Sequence, residues 1–144
     1  MYKKIIVTLD RSAPAEQALA HGVEIAKAFG GRIEVVTVVP VMQQPVLEGT
    51  PVPVNWDAEV AQDEEYLKGI AARVKEAGVE VRSEVRRGDV AEEILRHVEE
   101  AKADLIVMST HGRSGLGRWV YGSIADRVLR HSPVPVLLVR ATEQ

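Results

Sequence analysis

A run of small, hydroxyl-bearing and basic residues between two apolar stretches is where this chain could hold phosphate. After Asp104-Leu-Ile-Val-Met108 come Ser109-Thr110-His111-Gly112-Arg113-Ser114-Gly115-Leu116-Gly117-Arg118. Trp119-Val120-Tyr121-Gly122-Ser123 then opens a helix, and Pro133-Val134-Pro135 leads into a second apolar stretch. Glycine turns and helix starts both expose backbone N–H groups, which together favour an anion. In that reading Gly112 permits close approach, Arg113 or Arg118 supplies charge, and Ser114, Gly122 and Ser123 supply donors. The same glycines would equally serve a plain connector, because Gly112-x-x-Gly115-x-Gly117 alone is a weak motif. No Gly-Lys-Ser/Thr follows, so this is not a Walker A loop.

Other residues carry competing readings. Asp10 directly follows an apolar run and is either a turn or helix cap, or a contact for the base or ribose of a ligand. Ser123-x-x-Asp126 matches a capping box, a role compatible with anion binding because capped helix starts still present N–H groups. His111 lacks an orienting acid, and Ser114 lacks a Gly-x-Ser-x-Gly elbow, so no catalytic residue is assigned. His21, His97, His111 and His131 show no metal-ligand spacing, and no protein metal site is expected. Arg86-Arg87 reads as a solvated turn without a function.

These residues need a scaffold, and the hydrophobic pattern supplies one. Lys4–Leu9 and Arg32–Val39 are short, β-branched and nearly all apolar, as strands buried on both faces are. Between them Ser12 caps a helix with Pro14 in its first turn; Ala18, Leu19, Val23, Ala26 and Phe29 face inward, and Gly30-Gly31 stop it. Residues 40–56 hold four prolines and one glycine without periodicity, the pattern of a long loop or lid. A helix over 57–77 turns Val60, Leu67, Ile70, Ala71 and Val74 inward and stops at Gly78. Val79–Val85 alternates as a strand near a sheet edge. Asp89 caps a helix with Val90, Ala91, Ile94, Leu95 and Val98 inward. A strand over 104–108, a helix over 123–131 and a strand over 134–139 complete the chain. Strands alternating with helices require a mainly parallel sheet covered on both faces. Ligands bind such sheets outside the carboxyl ends of the strands, which would gather Asp10, Val38–Pro40 and Ser109–Arg118.

Composition narrows the function classes. With 144 residues the chain suits one domain spanning 1–144, and no internal repeat is present. A net charge of −3 and only two Trp, three Tyr and one Phe disfavour nucleic acid as a partner. No apolar stretch approaches the ~20 residues of a membrane span. The absence of cysteine excludes disulfides and fits a reducing compartment. No signal peptide is evident, so a cytoplasmic location is expected.

Over essentially its whole length the chain resembles the universal stress proteins, of the single-domain UspA type. The resemblance is carried by Ile5-Ile6-Val7-Thr8-Leu9-Asp10 with Ser12, Val36-Thr37-Val38-Val39-Pro40, and Gly88-Asp89-x-x-Glu92-Glu93-Ile94. Its strongest part is Ser109-Thr110-His111-Gly112, nine residues, Gly122-Ser123, and the final Pro133-Val-Pro135-Val-Leu-Leu-Val139. This resemblance implies an α/β three-layer sandwich on a five-stranded parallel sheet of order 3-2-1-4-5, the adenine nucleotide alpha hydrolase-like fold. It implies ATP as ligand, with Mg2+ or Mn2+ arriving on the triphosphate. ATP-binding members carry Gly-x2-Gly-x9-Gly-Ser/Thr around the ribose and phosphates; Gly112 and Gly122-Ser123 match its last two glycines and its hydroxyl. Asp10 and Val38 match positions at the adenine end, Val38 through its backbone. The candidate nucleotide-binding set is therefore Asp10, Val38, Ser109, Thr110, His111, Gly112, Arg113, Gly115, Gly122 and Ser123.

The departure is Ser109, where the family motif has its first glycine. A positive φ there would cost a serine about 1–2 kcal/mol, on the order of a tenfold loss of affinity; a negative φ would cost nothing. The resemblance also implies a homodimer. Independently, the apolar final strand Val134–Val139, guarded only by Pro133 and Pro135, invites pairing with a second copy. The expected function is an ATP-binding, homodimeric stress-response sensor or interaction module. A slow ATPase and a nucleotide-free dimeric interaction protein are the alternatives; neither a general base nor an arginine finger is evident for the former.

Overall fold

The computed structural model describes residues 1–41, 46–110 and 121–140, with the backbone alone at Tyr121. Its elements are β1 Lys4–Thr8, α1 Ala13–Phe29, β2 Arg32–Pro40, the short β3 Val46–Leu47 and β4 Thr50–Pro51, and α2 Trp56–Glu76. They continue with β5 Val81–Gly88, α3 Val90–Ala101, β6 Leu105–Ser109, α4 Tyr121–His131 and β7 Val136–Val139. The large sheet runs β5-β2-β1-β6-β7 with all neighbours parallel. Setting aside the β3–β4 hairpin, that is the expected order 3-2-1-4-5.

The apolar strands are central because only a strand covered on both faces can bury every side chain. Ile5, Ile6, Val7 and Thr8 of β1 are buried, as are residues 33–39 of β2 and all of β6. Odd positions Ile5, Val7, Ile33, Val35, Leu105 and Val107 pack with Ala18, Leu19, Leu67, Ile70 and Val74 of α1 and α2. Even positions Ile6, Val36, Val38, Ile106 and Met108 pack with Ile94, Val98, Ile124 and Val128 of α3 and α4. Two helical layers thus enclose the sheet. Gly22 lets α1 settle onto β1, since a Cβ there would lie 2.8 Å from Val7 Cγ2.

The expected caps are present. Ser12 Oγ accepts from the Ala15 amide at 3.2 Å, Asp89 Oδ2 accepts from the Glu92 amide at 3.0 Å, and Gly30 ends α1 with φ 65°. Several expectations are corrected. The stretch 40–56 is not uniformly loop. β3 and β4 form a hairpin whose turn residues Glu48 (φ 52°) and Gly49 (φ 78°) take the left-handed pair that matches strand twist. Two-residue strands are too short to show a period. Asn55 caps α2 one residue earlier than expected. Phe29 does not face the core but lies edge-on to Tyr2 at 5.4 Å, 38% exposed at the helix end. The last strand starts at Val136, because Pro135 has no N–H to give and contributes only its carbonyl, to the Ile106 amide at 3.0 Å.

Candidate functional site

Asp10 follows β1, the central strand, just past its carboxyl end, and its side chain is fully buried. Its Oδ1 accepts from the Ser12 amide at 3.1 Å, forming an Asx turn; among the described residues Oδ2 has no hydrogen-bond partner. Thr8 Oγ1, two positions earlier and also buried, is likewise without one. Buried polar atoms are nearly always satisfied, so an unmatched carboxylate oxygen beside an unmatched hydroxyl at one strand end marks a place where a ligand could supply hydrogen-bond partners. β2 runs beside β1 and continues to Pro40, bringing Val38 past the point where β1 has ended.

β6 is the other neighbour of β1, and Ser109 is its last residue. Ser109 is buried, pairs in register with Val139, and is not among the residues of positive φ. It therefore carries no left-handed strain, and a serine there costs the backbone nothing. The Thr110 amide donates to the Val139 carbonyl at 3.0 Å, so the chain leaves the sheet only after that residue. His111, Gly112, Arg113 and Gly115 lie outside the described residues.

Gly122 and Ser123 are exposed and already within α4. This overturns the capping-box reading of Ser123: a cap lies before the first helical residue, whereas Tyr121 and Gly122 are helical. Asp126 instead pairs with Arg130 at 3.2 Å, one turn on. A Cβ at Gly122 would meet nothing within 4 Å among the described residues, so packing does not demand a glycine there. Strand order thus brings Asp10, Val38, Ser109 and Thr110 to the carboxyl end of one sheet.

Between Asp10 and Ser12 stands Arg11 with φ 70°, in the left-handed region. For a residue with a Cβ this costs about 1–2 kcal/mol. Its Nε lies 3.3 Å from Asp63 Oδ1 and its guanidinium 3.8 Å from Glu59 Oε2, both on α2. Asp63 is fully buried. The sequence reading missed this pair. A signal existed, since Asp63 stands in line with Leu67, Ile70 and Val74 at 4-3-4 spacing on the apolar face of α2.

Arg86, read as a solvated turn, is also corrected. β5 runs through Val85 to Gly88, and Arg86 faces α3 with its side chain 10% exposed. It donates to Glu93 Oε1 at 3.0 Å, to Glu84 Oε2 at 3.1 Å and to Glu100 Oε2 at 2.9 Å. Burial alone would favour a neutral guanidine, but the hydrogen bonds to Glu100, Glu93 and Glu84 hold its pKa above the ordinary arginine value. His97 is buried beside it, between Glu84 and Glu34. Burial pushes the Asp89 carboxyl up, yet hydrogen bonds from Arg127 and the Glu92 amide outweigh it and hold the group below the usual carboxylate range. Among the described residues no three His, Asp or Glu side chains converge as metal ligands, and no helix is long and apolar enough to cross a membrane.

The sequence model of the Universal stress protein family matches residues 1–140. A universal stress protein of Methanocaldococcus jannaschii is 38% identical over 97% of this chain and 83% of its own length. Two solved structures share the fold. A universal stress protein in complex with cAMP has a TM-score of 0.73 at 21% identity, covering 98% of each chain. The universal stress protein from Archaeoglobus fulgidus in complex with dAMP has a TM-score of 0.70 at 22% identity, covering 95% of this chain and 97% of its own.

Proposed function

The chain belongs to the universal stress protein family, and on that basis we propose that it binds an adenine nucleotide, ATP with Mg2+ or Mn2+, as a cytoplasmic stress-response sensor or interaction module. The observation that carries the reading is Asp10: a buried carboxylate at the end of the central strand, with one oxygen unmatched among the described residues. Asp10 would accept from the base–ribose end of the nucleotide, beside the Val38 backbone. Ser109, Thr110, His111, Gly112, Arg113, Gly115, Gly122 and Ser123 would serve the ribose and phosphates, and the metal would arrive with the triphosphate. The complexes of two relatives with cAMP and dAMP support the ligand class.

Ser109 gives no backbone reason for a nucleotide-free protein, because its φ lies outside the left-handed region. The half-buried apolar residues of β7, at an open sheet edge, support a homodimer through residues 134–139.

Titration calorimetry of ATP–Mg2+ into protein shown to be nucleotide-free tests this reading, with Gly122→Ala as the paired variant. Replacing an exposed helical glycine by alanine should stabilise by about 0.5–1 kcal/mol. The expected outcome is micromolar binding in the parent and weaker binding in a variant that melts higher. Saturation unaffected by the substitution would remove the phosphate site from α4, and no binding at millimolar ATP would end the nucleotide reading.

A further inference from the structure

Three residues of positive φ other than glycine are described: Arg11, Glu48 and Lys102. Glu48 sits in a hairpin turn and Lys102 caps α3, two settings where left-handed backbone is common. Arg11 has neither excuse. It stands between the end of β1 and the Ser12 cap of α1, in neither a hairpin turn nor a helix C-terminus. Strain of this kind persists only where surrounding contacts over-determine it.

Those contacts can be named. On one side the Ser12 amide is drawn to Asp10 Oδ1 at 3.1 Å, and Ser12 Oγ is fixed by the Ala15 amide at 3.2 Å. On the other side Arg11 reaches α2, with Nε 3.3 Å from Asp63 Oδ1. Asp63 has no exposed surface, and a carboxylate placed there is tolerable only against a cation. An ion pair to a rigid, buried partner therefore fixes the side chain of the residue that links Asp10 to Ser12. Turning Arg11 back to an extended φ would withdraw the guanidinium from the buried Asp63 carboxylate.

We infer that Arg11 and Asp63 are positioning residues: their ion pair holds the left-handed turn that presents the Asp10 carboxylate to a ligand. The ligand part of the inference rests on the reading of Asp10 as a nucleotide contact, and the turn itself does not. Arg11 and Asp63 touch no ligand in this scheme. They set the direction of a group that does, and they tie it to the helix that follows the β3–β4 hairpin.

The test uses the double variant Arg11→Ala/Asp63→Asn, which removes the ion pair without leaving a buried charge unpaired and keeps a Cβ at the left-handed position, so that only the lost pair can release the turn. Amide hydrogen exchange at Ser12 is read first, because that N–H is protected by Asp10 only while the turn is held. The expected result is about tenfold faster exchange at Ser12 with β1 amides unchanged, and about tenfold weaker binding of AMP, a step of ~1.4 kcal/mol. Arg11→Lys, which keeps a cation for Asp63, should restore a large part of both. Unchanged Ser12 protection overturns the inference, as does faster exchange with unaltered affinity. If the parent protein binds no adenine nucleotide, the reading of Asp10 fails alone, and the exchange result still decides whether the pair holds the turn.

Discussion

Arg11 and Arg86 are both largely buried guanidinium groups facing carboxylates, but they occupy opposite situations. Arg86 extends from a regular strand and spreads its five donors over Glu84, Glu93 and Glu100. Its backbone is unstrained, and the Glu100 carboxyl in turn is held below its usual range by the Arg86 hydrogen bond. Arg11 sits in left-handed backbone, commits mainly to Asp63, and adjoins an Asp10 oxygen without a partner among the described residues. The first arrangement is what a fold does to fasten α3 to a sheet edge. The second costs conformational energy beside an unmatched acceptor, and such cost persists only where surrounding contacts over-determine it, here the Arg11–Asp63 pair. Charge density does not separate the two regions, and neither do unmatched atoms, since Glu34 Oε2 and His97 Nε2 beside Arg86 also lack hydrogen-bond partners among the described residues; the state of the backbone does.

If that contrast holds, the two regions respond differently to substitution. The largest effect is expected from Arg86→Ala, which takes from the buried Glu93 one of its two arginine partners and leaves Arg96 at 2.8 Å. It should cost about 2 kcal/mol of stability in denaturant unfolding, below the range for a fully broken buried pair because Arg96 still meets Glu93 and because Glu84 and Glu100 stay hydrated. Nucleotide affinity should not change; a loss of affinity at unchanged stability would reverse the assignment of the flank. Asp10→Asn inverts the pattern. The acceptor for the Ser12 amide is kept while a buried charge disappears, so the melting temperature should hold or rise. Calorimetry should show affinity falling about tenfold, the scale of one charge-assisted hydrogen bond. A protein that merely melts earlier would make Asp10 structural.

Ser109→Gly, which restores the family's first glycine, separates local strain from function again. Because Ser109 is extended rather than left-handed, glycine relieves nothing and weakens the strand end by about 0.5–1 kcal/mol. Tighter ATP binding in that variant would show that strain at this position had been misjudged. The smallest effect is at Asp89, whose carboxyl is held low mainly by Arg127 once burial is overcome. A carboxylate with a depressed folded pKa adds stability above its unfolded pKa near 4 and loses it as pH falls through the folded value. The melting difference between the parent and Asp89→Asn should be present at pH 7 and shrink toward pH 3. An increase on acidification would contradict the pairing.

The order of strands, the faces of the helices and most caps were legible because each follows from local spacing. Val36 and Val38 alternate against Val35 and Val39, and Leu67, Ile70 and Val74 recur at helical intervals whatever lies opposite them. Ser12, Gly30 and Asp89 punctuate the chain by chemistry confined to three or four residues. The β3–β4 hairpin escaped notice because two residues carry no period, and Ser123 was misread because a capping box is indistinguishable in sequence from a serine inside the first turn of a helix. Of the candidate site, Asp10, Val38, Ser109 and Thr110 could be grouped in advance, since strand order alone brings strand ends together.

What sequence by itself determined is thus the layered parallel fold, its family and which strand ends lie side by side. Only the tertiary structure decided that Ser109 is unstrained, that Arg86 is buried among three carboxylates, and that Arg11 bends left-handed to meet Asp63. Each of these depends on partners 2 to 52 positions away along the chain, or on one dihedral angle, as the Arg86–Glu84 and Arg11–Asp63 pairs show. Local propensity averages over such partners and angles. Packing fixes them, because a buried charge must find its counter-ion wherever the fold has placed it.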